Sequence, residues 1–240
     1  MKIPVLAYHK IDLPTADVKI RGAYTAPARF EKQISYLKRH GYEFFAASEL
    51  VQHYIENGRY PEKSICLTFD DGWKDNYVSA FPILKKYGVK ATIFLVPSCI
   101  GRTTDQVTAD GEGEREHLSA ADIREMADFG IEFGSHSMNH QLFDRITPDE
   151  IDNEVFESKA FIENLLQRDC STFAYPAGFF NDHAKASIKD AGYLAAFSTI
   201  YGTEKSVDLF ELNRTEILRR DKFPFRFANK IKKMAGLTNR

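Results

Sequence analysis

The stretch Ile65-Cys66-Leu67-Thr68-Phe69-Asp70-Asp71-Gly72-Trp73 constrains this chain more than any other. Its first five residues are apolar or small enough to be covered on both faces, as in a buried strand, and the run stops at Asp-Asp-Gly, a turn signal. Two adjacent acids directly after such a strand are costly to desolvate unless a cation, a hydrogen-bond donor or a metal meets them. The fold must therefore bring a partner to Asp70 and Asp71 from elsewhere.

The candidate partner is His136-Ser137-Met138-Asn139-His140, which follows a second short run, Ile131-Glu132-Phe133-Gly134-Ser135. Two histidines four apart converge on one metal if the chain makes a helical turn there, and one carboxylate completes a three-ligand site with positions left open. That is the catalytic kind of metal site, not the closed structural kind. Taken alone, Asp-Asp-Gly reads as a turn and His-x-x-x-His as a solvated helix face. Both lie just past strand-like runs, and barrel-type α/β folds assemble active sites at the C-terminal ends of strands.

Along the chain, strand-like and helical patterns alternate. Ile3 to Tyr8 reads as a first strand ending on His9, and Pro27 opens a helix through Phe30, Ile34 and Leu37 that Gly41 stops. Tyr42 to Phe45 reads as a strand, and Ser48 as the cap of a helix. After the central strand, Lys74 to Tyr87 is helical and Ala91 to Val96 is a buried strand. Residues 97–117 have no periodicity and are expected to form a wall of the cleft or a solvated loop. Ser119 and Thr147-Pro148 mark two helix starts, Ser171 to Tyr175 a strand, Asn181 to Ala191 a helix, Tyr193 to Phe197 a strand and Arg214 to Leu218 a last strand. The pattern predicts an α/β fold, a distorted (β/α) barrel of about seven parallel strands in a single domain.

A length of 240 residues suits one such barrel, and 43% hydrophobic with 28% charged residues is the composition of a soluble globular protein. The formal net charge of -2 gives no ground for nucleic-acid binding. Cys66, Cys99 and Cys170 are too widely spaced for a disulfide framework. No stretch approaches the ~20 apolar residues of a membrane span, and the run before His9 is too short for a signal peptide. The expected location is cytoplasmic. Residues 223–240, following a barrel over 1–222, combine aromatics with cations. They are expected to form a basic amphipathic helix that either packs on the barrel or touches the inner membrane face. Oligomeric state is not readable.

Thr68-Phe69-Asp70-Asp71-Gly72 followed by His136-Ser137-Met138-Asn139-His140 resembles the first two motifs of the polysaccharide deacetylases, the nodulation-type deacetylase domain of carbohydrate esterase family four. The likeness extends from about Pro4 to about Leu218. It implies Asp71, His136 and His140 as metal ligands and Asp70 as general base. It implies a divalent metal, zinc by the ligand set, with cobalt, nickel or manganese as alternatives. Phe173-Ala174-Tyr175-Pro176-Ala177-Gly178 resembles the third motif, in which the residue after the proline, here Ala177, supplies a backbone oxyanion donor. The family often has tyrosine at that position.

Two departures matter. No histidine follows His183, where many members carry a late general acid, and Ser171 and Thr172 stand near the usual base-orienting arginine. Leu212-Asn213-Arg214-Thr215-Glu216-Ile217 instead resembles the branch containing poly-N-acetylglucosamine deacetylases, in which a histidine ending the first strand is the acid. His9 matches that position, the alternative being a structural histidine. Arg214 is expected to supply the missing charge. Trp73, Tyr175 and Pro176 are candidate sugar contacts, the alternative being core packing. His117, His183, His40 and His53 show no partner in sequence.

The implied function is metal-dependent removal of N-acetyl groups from an amino-sugar polysaccharide, glycoconjugate or lipid-linked amino sugar. Alternatives are a same-fold amidohydrolase acting on a cyclic amide or imide, and a carbohydrate-binding protein that has lost catalysis.

Overall fold

The computed structural model describes residues 3–16, 18, 21–104, 114–199, 208–221 and 224–234. The chain opens with β1 (Val5–Tyr8), α1 (Pro27–Arg39), β2 (Glu43–Phe45), α2 (Ala47–Asn57) and β3 (Ser64–Phe69), the last buried at every residue. There follow α3 (Phe81–Tyr87), β4 (Thr92–Leu95), the short strands β5 (Thr103–Thr104) and β6 (Arg115–Glu116), then α4 (Ala120–Phe129) and β7 (Glu132–Ser135). Next come α5 (Pro148–Leu166), β8 (Thr172–Ala174), α6 (Asp182–Asp190), β9 (Ala195–Ser198), β10 (Leu212–Asn213), β11 (Thr215–Glu216) and α7 (Phe225–Met234).

The main sheet runs β10-β9-β8-β7-β4-β3-β1-β11, with β2 also paired to β3, and every pairing in it is parallel. Only Arg214 separates β10 from β11. Leu212–Glu216 is thus one kinked strand whose first half pairs with β9 and whose second half pairs with β1, closing the ring. Counted that way, the nine strands of the sheet are eight, and the architecture is a distorted (β/α) barrel.

The period of two along each strand divides the core into two layers. Leu67, Phe69, Ile93, Leu95 and Phe173 join a cluster with the helix faces, among them Phe30, Ile34, Ile123 and Ile151. Val5, Cys66, Phe94, Ala174 and Phe197 form a second cluster. Phe94 on β4 meets Phe197 on β9 with ring centres 5.7 Å apart, although two strands stand between them in the sheet order, so this second layer fills the barrel interior. Gly134 on β7 makes room for it. A Cβ there would lie 2.6 Å from the Phe94 ring and 2.7 Å from the Thr172 carbonyl oxygen.

Several local expectations change. Ser48 does not cap α2; its backbone N–H and hydroxyl both bond to Glu132, and Ala46 takes the cap position, its N–H donating to Glu49 at 3.0 Å. The helix after Gly72 begins with a wide π turn over Asn76–Ala80 before α3. The last strand is broken at Arg214, not continuous to Leu218. Of the 97–117 stretch, the two ends pair as the antiparallel ribbon β5-β6, and residues 105–113 lie outside the described residues. The capping box expected at Ser119 forms, and the helix start at Thr147 proves to be a capping box as well. All three cysteines are buried and free. In α7, Phe227, Ile231 and Met234 are buried in the outer layer, with Phe227 6.0 Å from the Tyr36 ring, while Phe225 is 80% exposed.

Candidate active site

Strand ends deliver the chemistry. His9 follows β1, Asp70 and Asp71 follow β3, His136 follows β7, Ala177 lies just past β8, and Arg214 sits at the kink of the closing strand. These residues, with His140, line one cleft of about 350 Å³.

Asp70 continues the inward-facing register of Cys66 and Thr68, which turns its carboxylate toward the closing strand. There Arg214 meets it as a fork, Nη1 donating to Oδ1 at 2.7 Å and Nη2 to Oδ2 at 2.8 Å, while Nη1 also donates to the Thr68 hydroxyl at 3.0 Å. Both side chains are nearly inaccessible. Burial pushes the Asp70 carboxyl up, but the charge and hydrogen bonds of Arg214 outweigh it and hold the group below its ordinary value. His9 Nε2 lies 3.8 Å from Asp70 Oδ2 and its side chain is 24% exposed.

Asp71 faces the other way. Its Oδ1 is 3.5 Å from His136 Nε2 and 3.4 Å from His140 Nε2. Burial raises its carboxyl, and the His140 contact more than reverses this, leaving it well below the usual range. His136 is fully enclosed, and burial brings its imidazole down to about 4. His136 Nδ1 lies 2.7 Å from the Ala174 carbonyl oxygen. A carbonyl only accepts, so Nδ1 carries the hydrogen and Nε2 is left as a lone-pair donor toward Asp71.

The loop that carries His136 and His140 is not a helical turn, which corrects the basis on which their spacing was read. Ser137 and His140 adopt left-handed backbone at φ 65° and 59°. Asn139 is clamped by the Glu154 carboxylate of α5, its backbone N–H and its side-chain amide each donating at 2.7 Å. Ser98 N–H holds the Met138 carbonyl at 3.1 Å. Asp71 (φ 73°) and Ala177 (φ 52°) share the left-handed conformation, so three of the six such non-glycine residues described line this cleft and a fourth, Ser137, lies in its histidine loop. Strained backbone of this kind persists where surrounding contacts over-determine it, commonly at functional sites.

The three ligand atoms of Asp71, His136 and His140 lie within 4.8 Å of one another. One carboxylate and two imidazoles, with one imidazole locked in its metal-binding tautomer, fit a divalent transition metal.

The candidate sugar contacts fare differently. Tyr175 borders the cleft, but its ring is fully buried, wedged among Phe143, Phe173 and Phe180 with its hydroxyl donating to the Phe210 carbonyl at 2.9 Å, as the core-packing alternative describes. Trp73 is only 1% exposed, and Pro176 is buried in the turn before Ala177. Ala177 itself is exposed at the cleft.

Sequence reading missed several neighbours. His117 is buried, with its ring centre 4.2 Å from that of Trp73 and Nδ1 3.1 Å from the Asp71 carbonyl oxygen. Lys10 is 3% exposed, its Nζ 4.0 Å above the Trp73 ring, and it lines the cleft together with Glu216. Glu154 looks in sequence like any acid of an amphipathic helix. Nothing in local pattern separates these residues from surface charge. His183 pairs with Asp152 at 3.0 Å, and His40 and His53 bond backbone carbonyls at the surface.

A polysaccharide deacetylase family model matches residues 57–196, which is more than half of the chain and contains Asp70, Asp71, His136, His140 and Ala177. The chain belongs to the polysaccharide deacetylase family. His9 and Arg214 lie outside the matched span, and the barrel brings them to it. Among curated members, the poly-beta-1,6-N-acetyl-D-glucosamine N-deacetylase of Staphylococcus aureus is 28% identical over 189 residues, covering 75% of this chain and 62% of that protein. This chain thus spans less than two thirds of that relative. The Streptococcus pyogenes deacetylase PplD, solved in complex with acetate, superposes with a TM-score of 0.77 at 30% identity, covering 91% of this chain and 93% of that one. The Bacillus cereus polysaccharide deacetylase BC0361 has a TM-score of 0.77 at 29% identity, with 97% and 69% coverage.

Proposed function

We propose that this family member is a metal-dependent hydrolase that removes N-acetyl groups from an amino-sugar polysaccharide or glycoconjugate. The observation that carries the reading is the division between two adjacent carboxylates. Both Asp70 oxygens are held by Arg214, whereas Asp71 turns one oxygen toward two imidazoles. A base and a metal ligand need those two different settings. The named substrate of the S. aureus relative supports an N-acetylglucosamine polymer as the substrate class.

A divalent cation held by Asp71, His136 and His140 would polarise the acyl oxygen and lower the pKa of a neighbouring water, and zinc suits the donor set, with cobalt, nickel or manganese as alternatives. Asp70, kept ionised and oriented by Arg214, takes the proton from the attacking water. The Ala177 N–H donates to the oxyanion that forms. His9, beside Asp70 at the cleft wall, hands a proton to the departing nitrogen as the C–N bond breaks. The products are acetate and a free amine.

The test is acetate release from N-acetylglucosamine oligomers by the metal-loaded protein, with Asp70→Asn and a chelated sample alongside. Release that both controls abolish is the expected result. No release from fully metallated protein would remove amino-sugar oligomers as the substrate class.

A further inference from the structure

The side of Asp71 that does not face the histidines is also occupied. Its Oδ2 accepts a hydrogen bond from the Trp73 indole Nε1–H at 2.7 Å, while Oδ1 alone points at His136 and His140. The two residues belong to one tight turn around Gly72, whose φ of 67° suits glycine and where an added Cβ would lie 2.9 Å from Leu95 Cδ2. The indole has a built seat. Trp73 forms a β-bridge with His117 and stacks against its ring, and the Lys10 ammonium lies over its face. A cation over an indole draws on the π density and makes the N–H a better donor.

We propose that Trp73 is a positioning residue of the metal site, its indole N–H engaging Oδ2 of Asp71 so that the carboxylate offers only Oδ1 to the point shared with His136 and His140. The inference rests on those three residues being the ligands. An ionised carboxylate has two oxygens and chelates a cation readily through both. With one oxygen committed to the indole it binds through the other, which leaves coordination positions free for a reacting group. The same bond fixes the carboxylate plane before a metal arrives. This assigns Trp73 a role distinct from the sugar platform its sequence neighbourhood suggested, and one that its burial permits.

A packing role needs the ring, whereas this role needs the N–H. The two are separable here because Trp73 is the sole tryptophan among the 240 residues. Expression in a tryptophan auxotroph supplied with 3-benzothienylalanine replaces the N–H by sulfur at this one position and keeps the bicyclic shape. Both proteins are loaded with cobalt(II), and their visible absorption is compared at full occupancy. The zinc Kd is measured by chelator competition. The expected result is an altered cobalt spectrum, as the second carboxylate oxygen joins the metal, with zinc binding about 10–100-fold weaker. Trp73→Phe should change the spectrum in the same sense. An unchanged cobalt spectrum in the benzothienyl protein overturns the proposal, whatever the ring contributes to folding. Failure of the tryptophan-containing protein itself to bind metal stoichiometrically would instead overturn the ligand assignment, and this inference with it.

Discussion

Arg214 grips Asp70 with both terminal nitrogens, at 2.7 and 2.8 Å, across 144 positions of sequence. The contact exists because the closing strand breaks at that arginine. One half pairs with β9, the other with β1, and the inward-pointing side chain between them reaches the end of β3. An arginine fork matches both carboxylate oxygens at once, so it fixes the plane of Asp70 as well as its charge.

Arg214→Lys keeps a positive charge but replaces the fork by a point donor. Loss of orientation at a general base is expected to lower kcat by about 10²-fold with metal content unchanged. Arg214→Ala strands a buried carboxylate and is expected to cost about 3–5 kcal/mol of stability. Full activity in the lysine variant, measured as acetate release, would show that charge alone suffices.

His9→Ala should slow turnover by about 10²–10⁴-fold while the protein keeps its metal, since His9 contacts Asp70 and not the ligand set. Metal analysis beside steady-state kinetics separates the two effects. Full turnover with metal retained would take His9 out of the reaction.

Metal should stabilise the fold through the same three residues. A free cation concentration a hundredfold above Kd adds about 2.7 kcal/mol, visible as a rise in Tm that a chelator reverses. His136→Ala is expected to abolish that metal-dependent rise. An undiminished rise in the variant would place the binding elsewhere.

Asp75 gives a pH signature away from the ligands. It accepts from the Ile11 N–H at 2.6 Å and from the Asn76 amide at 3.1 Å, and burial pushes its carboxyl from 3.8 up to about 6. A carboxyl raised in the folded state favours folding fully below its unfolded value and loses that contribution as pH rises through its folded value. The gap from 3.8 to about 6 corresponds to on the order of 3 kcal/mol. Wild-type stability relative to Asp75→Asn, which keeps an acceptor for Ile11, should therefore fall between about pH 4 and pH 6 and then level off. Parallel pH profiles from denaturant titration would show that the Asp75 carboxyl is not raised by folding.

Much of the barrel was legible because strand and helix periods are local properties. Leu67 and Phe69, Pro27 and Gly41, the Ser119 capping box and the Thr147-Pro148 helix start announce their elements within a few residues. The acids of the Asp-Asp-Gly turn and the paired histidines could likewise be placed at strand ends from their flanks. The turn geometry between those histidines could not, because the loop carrying left-handed Ser137 and His140 is held at Asn139 and Met138 by Glu154 and Ser98 from other elements. Tyr175 and Trp73 could be read from their motifs either as sugar contacts or as core, and both are enclosed. Burial of an aromatic depends on what packs over it from Phe143, Phe180, Lys10 and His117, and period alone does not carry that.

The sequence by itself determined which residues are the candidates for the chemistry at the ends of β3 and β7, since a costly pair of acids after a buried strand and two imidazoles after another leave few other readings. Only the tertiary structure decided how the two acids differ. Asp70 and Asp71 are chemically identical and adjacent, and they are told apart by the Arg214 fork on one side and the Trp73 indole on the other. The first of those partners reaches the site through closure of the ring, and the second is held there by packing against residues distant in the chain, because long-range pairing and burial, not local pattern, set the electrostatic surroundings of a buried charge.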